Sequence, residues 1–491
     1  MRSRSTRPLL CMALALFLSA AGHTQAQVTL NKISTDTFTN SSSQHATEVE
    51  PDTLSYGNTI VSAYQVGRIF GGGGADIGFS TSTDGGNTWT HGFLPGITTF
   101  NGGTFSAVSD AAVAYDAAHG IWLINTLPIG NNTQLSVSRS TDGINWDNPI
   151  TVSTAGSPDK NWIVCDSYPA SAFYGHCYVE WDDTNTGDTI KMNTSTDGGL
   201  TWSAALKTAG NDGGIGGQPL VMPNGTVVVA FNGNSGNMMA FTSTNGGTSW
   251  NKAVKISTIK EHGVAGNLRT SSLPTGEIDG GGTIYIAWQD CRFRTGCASN
   301  DIVYSTSSNG STWSAVKRVP IDPTSSTVDH FIPGLAVDTS TKGSSAHLAL
   351  TYYYYPISKC SSSCSLYVGY TSSSNAGKTW TASQTLTGAM QLSWLPNTFA
   401  GLMVGDYIST SYASGLAHGV FANANAKSGS VFDEAMYTTT AGLRAPVDAA
   451  EVSAENDRPV PGTRSDIGPR QYWDLEHTKP IPPYLKLGEP N

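Results

Sequence analysis

Ser82-Thr83-Asp84-Gly85-Gly86-Asn87-Thr88-Trp89 decides the fold, because the same turn returns five more times along the chain. STDGINW (Ser140 to Trp146) and STDGGLTW (Ser195 to Trp202) keep the aspartate, at Asp142 and Asp197. STNGGTSW (Ser243 to Trp250), SSNGSTW (Ser307 to Trp313) and SSNAGKTW (Ser373 to Trp380) replace it with Asn245, Asn309 and Asn375. Successive copies lie 48 to 66 residues apart, which suits four short strands and their loops. A short Asp or Asn side chain accepts hydrogen bonds from nearby backbone N–H groups, and the glycine adopts angles other residues resist. The tryptophan then has a large apolar face to bury. The motif is therefore read as scaffold, not as a catalyst.

Between the turns, apolar and polar residues alternate in short runs, with no convincing amphipathic helix. The second strand of the later units reads HCYVEW, TVVVAF, TIYIAW and AHLALTYYYY. After the sixth turn come three runs, GLMVGDYISTSY, AHGVFANA and DEAMYTTT, and no fourth. The N-terminal run VTLNKIST (Val28 to Thr35) is spare, so pairing it with Asp433 to Thr440 completes the last sheet and removes exposed edges. The expected fold is all-β, a seven-bladed β-propeller of four-stranded antiparallel blades, with six blades as the alternative.

Three segments are expected. Residues 1–26 read as a secretory signal, with Arg2, Arg4 and Arg7, an apolar run from Leu9 to Ala21 and a cleavage site at Thr24-Gln25-Ala26. Residues 27–443 form the propeller, and 444–491 an extended Pro-rich tail with Tyr472, Trp473 and Tyr484 as its apolar anchors. The product is expected to be secreted, extracellular or periplasmic, and monomeric. No stretch reaches the length of a membrane span. The formal charge is −10, or −13 without the three leader arginines, and basic runs are lacking, which disfavours nucleic acid as a partner.

Beyond Cys11 in the leader, six cysteines remain, allowing 15 connectivities. Proximity along single blades favours Cys165 with Cys177, Cys291 with Cys297, and Cys360 with Cys364. Zinc binding is the rival reading, but paired C-x-x-C spacing and its histidines are lacking, so neither metal nor cofactor is expected.

The repeat resembles the Asp-box (BNR) repeat of the sialidase superfamily, Ser-x-Asp-x-Gly-x-x-Trp, over about Val28 to Leu443, and the chain is similar to bacterial secreted sialidase-like proteins. The resemblance implies a propeller whose function sits at the mouth of the central channel, away from the boxes. In sialidases three arginines bind the substrate carboxylate, a tyrosine paired with a glutamate is the nucleophile, and an aspartate is the acid/base. Where the first arginine stretch belongs, this chain reads Glu48-Val49-Glu50-Pro51, and only the proline matches. Gly67-Arg68-Ile69-Phe70 is similar only superficially, in a loop leading to a glycine run. Efficient exo-sialidase activity is therefore not expected.

First-strand starts and second-to-third strand loops give the polar candidates at the mouth: Glu48, Glu50, Asp110, Asp159, Lys160, Arg269, Asp329, His330, Asp406 and Tyr407. The fifth unit adds Asp290, Arg292 and Arg294 on a loop clamped by Cys291 and Cys297. Arginine forks bind carboxylates, sulfates or phosphates, so Arg269, Arg292 and Arg294, with Lys160 and Asp110, are expected to bind an acidic sugar. Glu50, Asp290, Asp406, His330 and Tyr407 are the expected proton-transfer groups. A salt bridge from Asp290 to Arg292 or Arg294 is the bland alternative. Tyr352 to Tyr355 alternate across a strand, so at most two face one site.

These features point to a glycan-active enzyme, a glycoside hydrolase or lyase acting on an acidic or branched glycan. A non-catalytic propeller binding glycan or protein at the same mouth is the alternative, and a docking platform for assembly a third.

Overall fold

A computed structural model describes residues 28–445 and 451–466. The leader, the tail beyond Asp466, and with it Tyr472, Trp473 and Tyr484, lie outside the described residues. Among the described residues there are strands and short 3-10 turns and no α-helix.

Besides two short two-stranded pairs, the strands form four four-stranded antiparallel sheets, an eight-stranded sheet whose two four-stranded halves meet at Gly74 opposite Val108, and a five-stranded sheet, so that seven first strands can be followed. They are Ser43–Tyr56, Ala107–Asp116, Pro158–Cys165, Gly214–Val221, Thr275–Ile278, Asp329–Val337 and Ser409–Ala413. Each first strand lies against the next, and the seventh against the first, so the units close into a ring around one axis. The last unit takes its fourth strand from the other end of the chain. Leu30–Lys32 pairs antiparallel with Val431–Thr439, placing Leu30 opposite Thr439 and Lys32 opposite Tyr437.

Cores lie between neighbouring sheets. Val61, Phe79, Val113, Trp122 and Trp146 form one between the first and second units; Tyr285, Tyr304, Leu335, Leu348 and Trp380 form another between the fifth and sixth. Each second strand is thus covered on both faces, which is why those runs are almost uninterrupted apolar sequence.

The box turns follow one pattern. Ser82 Oγ donates to Asp84 Oδ1 at 2.8 Å and accepts from the Gly86 N–H at 2.8 Å, while Asp84 Oδ1 accepts from the Thr88 N–H at 2.9 Å. The same serine-to-Asp/Asn bond recurs at Ser140, Ser195, Ser243, Ser307 and Ser373. Trp146 packs on Phe79 at 5.9 Å and Trp380 on Tyr304 at 6.2 Å, each on the preceding unit. All three cysteine pairs are disulfides.

The described tail crosses the rim. Glu451–Val452 pairs with Trp380–Thr381, Asp457 binds Arg318, the Val460 N–H reaches the Arg292 carbonyl, and Asp466 meets His262.

Candidate functional site on the propeller axis

A bulge repeated in the first strands builds the site. In the first, second, third, fourth and sixth units the register with the second strand slips at one level, between Val49 and Asp52, Ser109 and Ala112, Asp159 and Trp162, Ile215 and Gln218, and Phe331 and Pro333. Each slip contains a left-handed residue: Glu50 (φ 57°), Asp110 (φ 49°), Lys160 (φ 40°), Gly216 (φ 65°) and Ile332 (φ 48°). Only glycine takes such angles freely, so four of the five positions store backbone strain. The bulge breaks the in–out alternation of the strand. In three consecutive units it brings a charged side chain, Glu50, Asp110 and Lys160, to one place.

Lys160 is the hub. Its Nζ lies 3.3 Å from Glu50 Oε1, 3.2 Å from Asp110 Oδ1 and 2.5 Å from Asp406 Oδ2. Arg269 holds the same aspartate through a fork, Nε to Oδ1 at 2.7 Å and Nη2 to Oδ2 at 2.5 Å. Gln65 Nε2 donates to Glu50 and, at 2.9 Å, to Ser109 Oγ, and Arg68 donates to Gln65 Oε1 at 2.9 Å. Tyr407 lies under the Lys160 ammonium, 5.7 Å from its ring centroid, with its hydroxyl donating to the Ala111 carbonyl. Glu50, Asp110, Lys160, Arg269, Asp406 and Tyr407 are all buried.

Two cations face three carboxylates, and the surplus carboxylate is Glu50. Burial pushes Glu50 up to about 7, against the pull of Lys160. Burial also pushes Asp406 up, but Arg269 and Lys160 together outweigh it and hold that carboxylate well below its ordinary range. For Lys160, burial favours the neutral amine, yet Asp110, Asp406 and Glu50 keep it protonated. Burial, then Glu50 and Asp110, hold the Tyr407 hydroxyl neutral.

Two loops close the mouth. The Arg269 N–H donates to the Leu402 carbonyl at 2.7 Å and the Leu402 N–H to Asn267 at 2.8 Å, stitching the loop before the fifth unit to the loop before the seventh. Val264, Leu268, Leu392, Leu395 and Val404 from these loops are buried in one core. The space left beside Lys160, Trp162, Gly216, Leu273 and Tyr407 is about 20 Å³, room for a water but not a sugar.

The remaining candidates lie elsewhere. Asp290 and Arg292 form a salt bridge at 2.6 Å, and Arg292 also donates to Ser257 Oγ and the Thr258 carbonyl on the outer strand of the fourth unit. They tie down the rim loop and do not reach the mouth, because the second strand carrying Asp290 lies one step out from the axis. Arg294 bridges Asp301 and Asp322 at 2.6 Å each, and Arg318 binds both as well. Asp301, Asp322 and His330 offer ligand atoms within 4.8 Å of one another, but the two guanidiniums already occupy those carboxylates. His330 is buried against Tyr352 and Tyr354 in this network. In the other three-residue group able to face a metal, with His262 and Asp466, Cys297 is committed to its disulfide.

Glu48 packs between the first and last units, accepting from Ser34 Oγ and the Met436 N–H. Asp329 accepts from Asn300, and Asp159 lies beside the Lys160 N–H. Tyr353 and Tyr355 face the core toward the seventh unit, Tyr352 that toward the fifth, so the tyrosine run is packing.

Arg68 corrects the sequence reading. It lies within the strand Thr59–Ile69, one residue from its end, and supports Glu50 through Gln65, instead of standing in a loop. Gln65 itself, and Asn161, which donates to the Asp110 carbonyl at 2.8 Å, have no motif to announce them. Asn161 directly follows Lys160, and that adjacency is the one signal the chain carries.

No family model and no curated protein matches the chain. Solved structures do. Hadza microbial sialidase Hz136 is 16% identical over 82% of this chain and 67% of its own, with a TM-score of 0.45. The intramolecular trans-sialidase from Ruminococcus gnavus is 13% identical over 65% and 93%, with a TM-score of 0.44. Trypanosoma rangeli sialidase is 12% identical over 66% of this chain, which spans only 56% of that protein, with a TM-score of 0.44. The propeller itself rests on the sheet order and the ring of first strands.

Proposed function

We propose that the protein is an exported, monomeric propeller that binds glycans and does not cleave them at the axial mouth. One observation carries the second half of this reading: every carboxylate of the mouth cluster is buried and held by Lys160, with Arg269 also on Asp406, beside a space of about 20 Å³. A hydrolase needs its acid/base and its nucleophile to reach a sugar held between them, and no sugar fits between these. Strained, buried charges also serve as a rigid hub that joins five units. Glycan is favoured as ligand by the resemblance of the six boxes to the sialidase superfamily's repeat. Export is supported by the leader-like residues 1–26 and by three disulfides.

A glycoside hydrolase or lyase acting on an acidic or branched glycan is the second reading. Its support is the divergence between Glu50, which holds its proton up to about 7, and Asp406, which stays ionised. Such a split assigns an acid and an ionised partner. It requires the paired loops at Leu268 and Leu402 to open.

Incubating the purified mature chain with sialyl, uronate and neutral oligosaccharides separates the two. Retention of a glycan without new reducing ends is expected. Products that vanish in Glu50→Gln would establish the enzyme instead.

A further inference from the structure

We propose that the opposite, box-facing end of the axial channel is a binding site for a neutral sugar residue. The inference rests on the glycan-binding reading and gives it a place and a ligand class.

Strand register locates the site. Ser55 pairs with Ile60, and Ile60 with Ser82, so the ends of the first strands lie level with the box turns. There the axis widens into a cavity of about 280 Å³, walled by the first strands of the first five units. That is just under the roughly 300 Å³ at which ordinary ligand clefts begin, and suits one sugar ring better than a chain. Trp162 closes its deep end, edge-on to Tyr407 at 4.9 Å, and so separates the cavity from the ion cluster. A ligand enters from the box side.

The lining has the mixture that sugar sites use, aromatic faces with a few convergent polar groups. Tyr56 and Tyr115 lie ring against ring at 4.1 Å, and Tyr56 is exposed at the rim. Gln218 spends its oxygen on the Gly276 N–H at 2.6 Å, and among the described residues its amide NH₂ has no acceptor. The hydroxyls of Tyr115 and Tyr168 likewise have no protein partner among the described residues, and both tyrosines border the cavity.

Charge selects the ligand. Neither lysine nor arginine lines the cavity, while Asp52 and Glu277 both do. Burial pushes Asp52 up to about 7, and burial reinforced by Asp52 raises Glu277 well above the ordinary range. Below about pH 7 such carboxyls retain protons and exchange hydrogen bonds with sugar hydroxyls. A sialate or uronate would enter with an uncompensated negative charge, at a heavy desolvation cost. The neutral class assigned here thus differs from the acidic glycan that the arginine-rich fifth unit suggests.

The test titrates the full mature chain with methyl glycosides of neutral hexoses, N-acetylglucosamine and 3'-sialyllactose, read by calorimetry and by tryptophan fluorescence. A neutral sugar is expected to bind, Glu277→Gln to weaken it about tenfold, and Trp162→Phe to remove the ligand-induced fluorescence change. Should Glu277→Gln fail to fold, a ligand-dependent change in the wild type that Trp162→Phe abolishes gives the same support. Neutral sugars that bind with both variants unaffected would overturn the site and leave the glycan reading intact. Binding of the sialylated sugar alone would overturn the neutral class, and no sugar binding at all would overturn both inferences.

Discussion

Lys160 Nζ lies 2.5 Å from Asp406 Oδ2, so a salt bridge ties the third unit of the ring to the loop entering the seventh. Glu50 and Asp110 bring the first two units to the same ammonium. Breaking a buried ion pair from one side leaves the other charge stranded, which costs more than the pair contributes.

Lys160→Met is therefore expected to lower the unfolding free energy by about 3–5 kcal/mol, as measured by chemical denaturation. Adding Asp110→Asn and Glu50→Gln should recover part of the loss. An unchanged midpoint for the single variant would mean that the cluster is not the hub of the ring.

Stability is expected to fall as pH rises from about 4 to about 8. Burial raises Glu50, Asp52 and Asp76 to about 7 and Glu48 and Asp329 to about 8. The unfolded chain releases these protons near 4, so the folded state binds more protons across that window. Their contribution is complete below about 4 and disappears as pH passes through the folded values. Thermal melts should give a higher midpoint at pH 5 than at pH 8.5, and a rising midpoint would contradict the burial of these groups.

Ser82→Ala removes both the Gly86 N–H acceptor and the donor to Asp84. A loss of about 1–2 kcal/mol is expected, with glycan retention unchanged. Reduced retention at intact folding would give the boxes a role beyond scaffold.

Replacing Cys165 and Cys177 together by alanine opens a bridge spanning 12 residues. Loss of that cross-link is expected to cost about 3 kcal/mol, read from denaturation of the variant beside the oxidised parent.

Sialic acid release from sialyllactose is expected to stay at background. Among the described residues the axial cluster offers one direct guanidinium, that of Arg269, and Asp406 already occupies it. Robust release would show that the loops at Leu268 and Leu402 open onto a different arrangement.

Box spacing made the ring of sheets legible in the chain, and the missing fourth run of the last unit pointed to the N-terminal strand. Leu30–Lys32 does pair with Val431–Thr439. The cysteines were equally readable, since their short separations and the leader-like residues 1–26 both favour local disulfides. Glu50, Asp110, Lys160, Arg269, Asp406 and Tyr407 could be picked out because strand starts point toward one end of the axis. Asp290, Arg292, Arg294 and His330 followed the same positional logic, but the rim holds them in its own ion pairs.

What the sequence by itself determined is periodic: a turn that hydrogen-bonds within eight residues, and strands whose alternation names their buried faces. Those interactions are local, so the chain carries them in its spacing. What only the tertiary structure decided is the bulge that turns Glu50, Asp110 and Lys160 inward, the loop pairing that seals the mouth, and the open carboxyl-lined cavity at the other end. The bulge forms between adjacent strands, but the meeting of its side chains, the loop pairing and the cavity depend on groups more than 40 residues apart coming together at the axis, as Lys160 and Asp406 do. Whether a carboxylate there is a catalyst, a counter-ion or a sugar contact follows from which cation lies within about 3 Å of it, and no local pattern records that distance.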